Sequence, residues 1–236
     1  MTSELENLKK LESIKNTYGT EEIRDRVGKD YAAWFYCSFV WHGMKYSGIP
    51  ILKSPQDIWN YQEILSERKP SLVVEFGTFH GGATLFFANV MQNLGNPYRV
   101  LTVDPFEYVT SPTVRNHPNI EMMRDKSVSD NVKNRILELR EEFPGQLFII
   151  LDGDHRASNV FNELMMIRDI LKKDDYVIIE DSNLNGRPVP ISIGGPGPWE
   201  AYDQYKSHFP NDYVQDLARE KKFGWTLATD GYLIKT

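Results

Sequence analysis

Cysteine occurs once in the 236 residues, at Cys37, which excludes an internal disulfide and any multi-cysteine metal cluster. No apolar run approaches the length of a bilayer span, and the opening Met1-Thr-Ser-Glu-Leu-Glu6 is charged where a secretory signal is apolar. The expectation is a cytoplasmic enzyme or binding protein that meets no membrane. Blocks of Lys and Arg are missing too, and the formal net charge is -6, so nucleic acid is not an expected partner. Repeats and low-complexity tracts are absent, while 41% hydrophobic and 25% charged residues are ordinary for a folded globule, which excludes disorder. The length suits one principal domain. We divide the chain into an N-terminal helical and aromatic extension, 1–53, and a main domain, 54–236.

Leu5, Leu8, Leu11 and Ile14 recur at helical spacing among charges, predicting an amphipathic helix that packs on the body or on another subunit. Tyr31 to Tyr46 is dense in aromatics and broken by Gly43, a composition that serves a core or a pocket wall. Ser54-Pro-Gln-Asp57 reads as a helix start, with Ser as N-cap and Pro at the first helical position, and Lys69-Pro70 ends that helix near Arg68. Apolar runs at 72–74, 100–103, 147–151 and 176–179 then alternate with helical stretches starting near Gly82, Val128 and Ala157. This alternation predicts an α/β fold with a mostly parallel sheet covered on both faces. Residues 224–227 and 232–235, flanking the turn Thr229-Asp-Gly231, predict a closing antiparallel hairpin.

Two constellations carry chemistry. After the first strand stands Glu75-Phe-Gly-Thr-Phe-His-Gly-Gly82, at the place where parallel sheets collect ligands. Gly77, Gly81 and Gly82 let the backbone turn tightly and approach a ligand, and the next helix offers its amides. Gly-x-x-x-Gly-Gly fits neither the dinucleotide fingerprint nor a phosphate loop. Glu75 would repel a pyrophosphate but orients the amino group of a cationic, amino-acid-like ligand, and S-adenosylmethionine is such a ligand. Asp104, ending the next strand, is placed to accept both hydroxyls of a ribose; the competing reading is that both acids cap turns. His80 lies within the same loop.

The second constellation places Asp152, Asp154 and His155 at the end of the third run and Glu180 with Asp181 at the end of the fourth. Neighbouring strands lie about 5 Å apart, so these acids share one sheet edge. Such a density of like charge calls for a hard divalent cation, Mg2+ rather than Zn2+ because thiolates are lacking. We read Asp152, Glu180 and Asp181 as metal ligands, Asp152 also as a neighbour of the methyl donor, and His155 as general base for a substrate hydroxyl, with Asp154 as the competing base. The irregular stretch 183–198 emerges at this edge and is predicted to cover the substrate.

With these residues assembled, the chain resembles the cephalosporin hydroxylase family, which contains rhamnosyl O-methyltransferases, and is more distantly similar to the metal-dependent macrolide-sugar O-methyltransferases. The resemblance rests on Trp41-His-Gly with Lys53-Ser-Pro-Gln-Asp57, Val74-Glu-Phe-Gly with Gly81-Gly82, Asp152-Gly-Asp-His155, Ile179-Glu-Asp181, Gly194-Gly-Pro-Gly197 and Asp230-Gly-Tyr-Leu233. It implies a Rossmann-like class I methyltransferase fold, S-adenosylmethionine as donor, Mg2+ at the acids and a homo-oligomeric assembly. The histidine matching His155 is the base in the sugar methyltransferases, whereas some relatives place an aspartate at the position of Asp154; both are present here, so the base stays open. Folds of this kind put their adenine contact near Asp125 and Ser127. Where the family has a serine after the paired glycines, this chain has Ala83-Thr84. The expected function is Mg2+-assisted O-methylation of a hydroxyl on a small molecule, a sugar or specialised metabolite. The alternatives are a metal-dependent hydroxylase, which would consume oxygen, and a non-catalytic binder of S-adenosylmethionine, which would never form S-adenosylhomocysteine.

Overall fold

The computed structural model describes residues 2–236, and side chains from residue 6 onward. Helices α1 (Thr2–Tyr18) and α2 (Glu21–Cys37) lead through a 3-10 turn (Val40–Gly43) into a small ribbon of β1 (Lys45–Tyr46) and β2 (Ile49–Pro50). The body follows as α3 (Pro55–Arg68), β3 (Leu72–Phe76), α4 (Gly82–Leu94), β4 (Arg99–Val103), α5 (Pro112–Arg115), β5 (Ile120–Met123), α6 (Asp130–Glu142), β6 (Leu147–Leu151), α7 (Ala157–Arg168), β7 (Tyr176–Ile179), α8 (Pro198–His208), β8 (Tyr213–Gln215), α9 (Leu217–Glu220) and β9 (Tyr232–Lys235).

Seven strands pair in the order β5-β4-β3-β6-β7-β9-β8. The first five listed are parallel, and β9 runs antiparallel to both its neighbours. Chain order reverses on either side of β3, so a crevice opens at its carboxyl end. Alternation along the central strands sends Val74, Phe76 and Ile149 into one core with Val160, Leu164 and Tyr205, and Val73, Phe148 and Ile150 into the other with Tyr61, Leu65 and Phe87. Burial on both faces explains why these strands read as unbroken apolar runs. Each large aliphatic or aromatic side chain so buried contributes roughly 1.5–3 kcal/mol.

The start of α3 forms as predicted, with Ser54 Oγ accepting from Asp57 N at 3.0 Å and Pro55 at the first position. Lys69 ends the helix at φ 47, ahead of Pro70.

One expectation needs correction and two are narrowed. The antiparallel pair at the C-terminus joins β9 to β8, not to 224–227. Residues 224–227 are instead drawn onto the start of α3, because buried Asp57 accepts from Leu227 N at 2.9 Å and from the Thr226 hydroxyl, and also from Tyr232 OH at 2.6 Å. On α1, Leu8 and Leu11 are 62% and 63% exposed, so the apolar stripe does not pack on the body of this chain; the side chain of Leu5 lies outside the described ones. Residues 183–191 form a fixed connection, with Asn185 N to Ile191 O at 3.0 Å, Gly186 N to Val189 O at 2.8 Å, and Leu184 and Val189 buried against Phe35 and Trp225. The pattern also missed β5 and α8. No helix among the described residues is long and apolar enough to cross a membrane.

The extension shares a core with the body. Ala32 and Phe35 of α2 are buried with Trp225 and Leu227, and the helix approaches so closely that a Cβ on Gly28 would stand 2.1 Å from Gly224 O.

Candidate active site

Ladder bonds continue past the strand ends and bring the acids to one edge: Asp152 N donates to Phe76 O at 2.9 Å, Glu180 N to Leu151 O at 3.0 Å and Asp104 N to Met123 O at 3.1 Å. Above this edge lies a cavity of about 800 Å³, a volume typical of small-molecule sites. Its lining includes Glu75, Gly77, Gly82, Asp104, Ser127, Asp152, Asp154, His155 and Asp181, which the sequence reading singled out.

Glu75 is 1% exposed. Its Oε2 accepts from Thr102 Oγ1 at 2.7 Å and from the Thr84 hydroxyl, while Oε1 is buried without a partner. Burial pushes this carboxyl up to about 7, against the two threonine hydrogen bonds. Thr84 therefore steadies the acid from behind. The glycines also serve the packing of the loop. A Cβ on Gly77, at φ +100, would meet Asp152 O at 2.1 Å, and one on Gly82 would meet Pro50 O at 2.2 Å. Their lack of a side chain lets the loop pack against the chain's own backbone, and so brings Glu75 and Asp152 to the same cavity. Gly81 begins α4 in the left-handed region at φ +83.

Asp104 accepts from Phe79 N at 3.0 Å and Phe106 N at 2.9 Å, organising both loops at the cavity mouth. Ser127 Oγ donates to buried Glu163 at 2.5 Å. Asp125 stands apart from the lining: it caps its own turn, accepting from Lys126 N at 2.7 Å and Asn131 Nδ2 at 3.2 Å. His80 lines the cavity with Nδ1 3.2 Å from Tyr108 O. No residue of 183–198 is among those lining the cavity, although Pro196 O accepts from Ala157 N at 3.0 Å beside the His155 turn.

At the acidic cluster, donor atoms of Asp152, His155 and Asp181 lie within 4.8 Å of one another. His155 Nε2 is 3.1 Å from Asp181 Oδ2, and Asp181 adopts φ 54, a left-handed turn that aspartate tolerates. Glu180 is more deeply set. Its Oε1 accepts from Tyr61 OH at 2.5 Å and lies 3.1 Å from Lys53 Nζ, which also pairs with Asp152 Oδ2. Burial raises both acids above the ordinary carboxylate range, Glu180 to about 8, with Lys53 opposing the rise. Burial works against the Lys53 ammonium too, yet Asp152 and Glu180 outweigh it and raise the amine.

Lys53 adds to the sequence argument, in which a divalent cation balances these acids, a cation supplied by the chain itself. It is 1% exposed, and its single ammonium is outnumbered by the three carboxylates of Asp152, Glu180 and Asp181, so a divalent cation can still be held there as their protons leave. The oxygen donors suit Mg2+, and the orphaned Glu75 Oε1 suits an ammonium.

The two candidate bases separate. Asp154 is clamped by Arg156, whose Nε lies 2.9 Å from Oδ1, and this hydrogen bond pulls the carboxyl below its usual range. His155 instead faces the cluster. With its proton on Nε2 and donated to Asp181, the lone pair resides on Nδ1. Sequence reasoning missed Lys53, Tyr61, Thr84 and Thr102 as parts of the site. Lys53 alone had a signal, its place in the family motif ahead of Ser54.

Comparison with known proteins matches residues 38–236 to the family described as Rhamnosyl O-methyltransferase/CmcI. The rhamnosyl O-methyltransferase of Mycobacterium bovis (strain BCG / Pasteur 1173P2) is 46% identical over 211 residues, 89% of this chain and 86% of that protein. Among solved structures, the CmcI-N160 apo-structure aligns with a TM-score of 0.66 and the cmcI-D160 Mg-SAM structure with 0.62, each at 22% identity over 83% of this chain and 77% of theirs. These two share the fold.

Proposed function

The chain belongs to the Rhamnosyl O-methyltransferase/CmcI family and is an S-adenosylmethionine-dependent O-methyltransferase; from that premise we propose that it methylates a hydroxyl on a sugar of a specialised metabolite, assisted by Mg2+, in the cytoplasm. The observation that carries this reading is the cavity lined jointly by Glu75, which has a buried oxygen without a partner, and by Asp152, His155 and Asp181.

Glu75 Oε1 would receive the ammonium of the methyl donor, Asp104 would serve its ribose and Ser127 its adenine. The tight packing at Gly77 and Gly82 sets the floor beneath it. Asp152 and Asp181, with Glu180 behind them, would hold the cation, while Lys53 keeps Asp152 and Glu180 in place. A Mg2+ ion held there would lower the pKa of an acceptor hydroxyl, and S-adenosylmethionine would supply the methyl group from its sulfonium. His155 Nδ1 takes the hydroxyl proton, and Asp181 steadies the resulting imidazolium through Nε2. Tyr36, Trp41 and Leu227 wall the cavity and limit water.

Titration of the metal-stripped protein with S-adenosylmethionine, followed by assay of S-adenosylhomocysteine with phenyl α-L-rhamnopyranoside and Mg2+, tests the proposal. One-site donor binding and Mg2+-dependent product formation are expected. Absence of product from this glycoside removes the sugar reading, and oxygen consumption in its place would favour the hydroxylase.

Exposed Leu8 and Leu11 on α1, with Trp34 and Phe39 nearer the body, support self-association into a homo-oligomer. A monomeric mass by light scattering at micromolar concentration would end that part of the proposal.

A further inference from the structure

We propose that Tyr36 is the acceptor-orienting residue of this site: its phenol, on the cavity wall beside the acidic cluster, donates a hydrogen bond to an oxygen of the sugar acceptor. The inference rests on the O-methyltransferase reading and deepens it. Tyr36 lines the same cavity as Asp152, His155 and Asp181, yet it comes from α2, ahead of the family-matched span.

Its position is rigid. Phe35 and Ala32 anchor α2 in the core with Leu184, Trp225 and Leu227. Trp41 Nε1 donates to Tyr36 O at 3.0 Å, and the two rings sit 5.2 Å apart, so the aromatic wall is fixed from both sides. A rigid platform of this kind holds a sugar face while a polar tip sets its rotation.

The phenol is also chemically suited to donate. Burial, with Asp181, Asp152 and Glu180 nearby, raises it above its ordinary range and keeps the proton on oxygen. Each of these acids already has a donor of its own on one oxygen: Lys53 on Asp152 Oδ2, Tyr61 and Lys53 on Glu180 Oε1, and His155 beside Asp181 Oδ2. The Tyr36 proton is left for a ligand. A neutral acceptor oxygen entering beside three acids gains from a donor there, and an anionic acceptor would be repelled by those acids.

The test is Tyr36→Phe, assayed with phenyl α-L-rhamnopyranoside, S-adenosylmethionine and Mg2+. We expect the acceptor KM to rise about tenfold, the value of one hydrogen bond, with kcat within about twofold. The Kd for S-adenosylmethionine by calorimetry and the melting temperature should not move. An unchanged acceptor KM overturns the assignment, as does a fall in kcat alone, a weakened donor Kd or a lowered melting temperature, each of which would place Tyr36 in another role. Wild-type protein inactive on the glycoside overturns both this proposal and the sugar reading, whereas an active wild type with an unaltered Y36F KM overturns the Tyr36 assignment alone.

Discussion

Replacing Glu75 by Gln separates binding from stability, because the two should move in opposite directions. The Thr84 and Thr102 hydroxyls require an acceptor at the Oε2 position, so the new amide oxygen stays there and its NH2 takes the place of the unpartnered Oε1. An ammonium then meets a donor where it needs a carboxylate. Loss of a charge-assisted hydrogen bond costs about 1.5–3 kcal/mol, so the Kd for S-adenosylmethionine should weaken about 10- to 150-fold.

Stability should rise. Burial lifts the Glu75 carboxyl from 4.5 to about 7, so between those values the folded state holds more protons than the unfolded one and stability falls as pH rises. The accumulated penalty at about pH 8 is about 3 kcal/mol, and Glu75→Gln removes it. Below the unfolded pKa the penalty is absent, so the two proteins should melt alike at about pH 4. Wild-type donor affinity should also improve roughly tenfold from about pH 6 to about pH 8 as the carboxylate forms, and the variant should lose that dependence. Calorimetric titration and thermal denaturation across this range check both arms. A Glu75→Gln variant that binds the donor within about twofold of wild type, with the same pH profile, would refute the role of the orphaned oxygen.

Three further outcomes follow from the same geometry. His155→Gln should lower kcat by about 100-fold or more, while Asp154→Asn, already spoken for by Arg156, should cost under about threefold; the reverse ranking in steady-state kinetics would move the base to Asp154. Asp152→Ala should abolish Mg2+-dependent turnover, a loss measured as S-adenosylhomocysteine release, and leave donor binding largely intact, so full activity would remove Asp152 from the metal site. Gly77→Ala forces a methyl onto Asp152 O at 2.1 Å from a left-handed backbone and should destabilise by at least about 2 kcal/mol, read from urea denaturation; an unchanged midpoint would show that the loop can yield.

The parallel core was legible because strands buried on both faces must be apolar throughout, so the runs around Val74, Ile149 and Ile178 stood out from the helices between them. The strand-end acids were legible for the same reason: Glu75, Asp104, Asp152 and Glu180 interrupt or end such runs where only a cap or a ligand explains a charge. β5 was not, since its sequence Ile120-Glu-Met-Met123 is half exposed at the sheet edge and carries weak periodicity. The 224–227 segment misled because its Trp-Thr-Leu pattern suits a strand, and only the distant Asp57 carboxylate turns it into a loop.

The sequence by itself determined the fold class, the edge of the sheet where chemistry gathers and most of the acids that gather there, because hydrophobic period and strand-end charge are local properties. Tertiary structure decided how those charges are balanced and oriented. Lys53 lies 99 residues from Asp152 in the chain and Tyr61 lies 119 from Glu180, and no local spacing records such pairings. Nor could spacing tell Asp154 from His155, which are adjacent in the chain; the turn after β6 points one at Arg156 and the other at Asp181. Electrostatic partners are chosen by distance through space, and only the packed chain sets that distance.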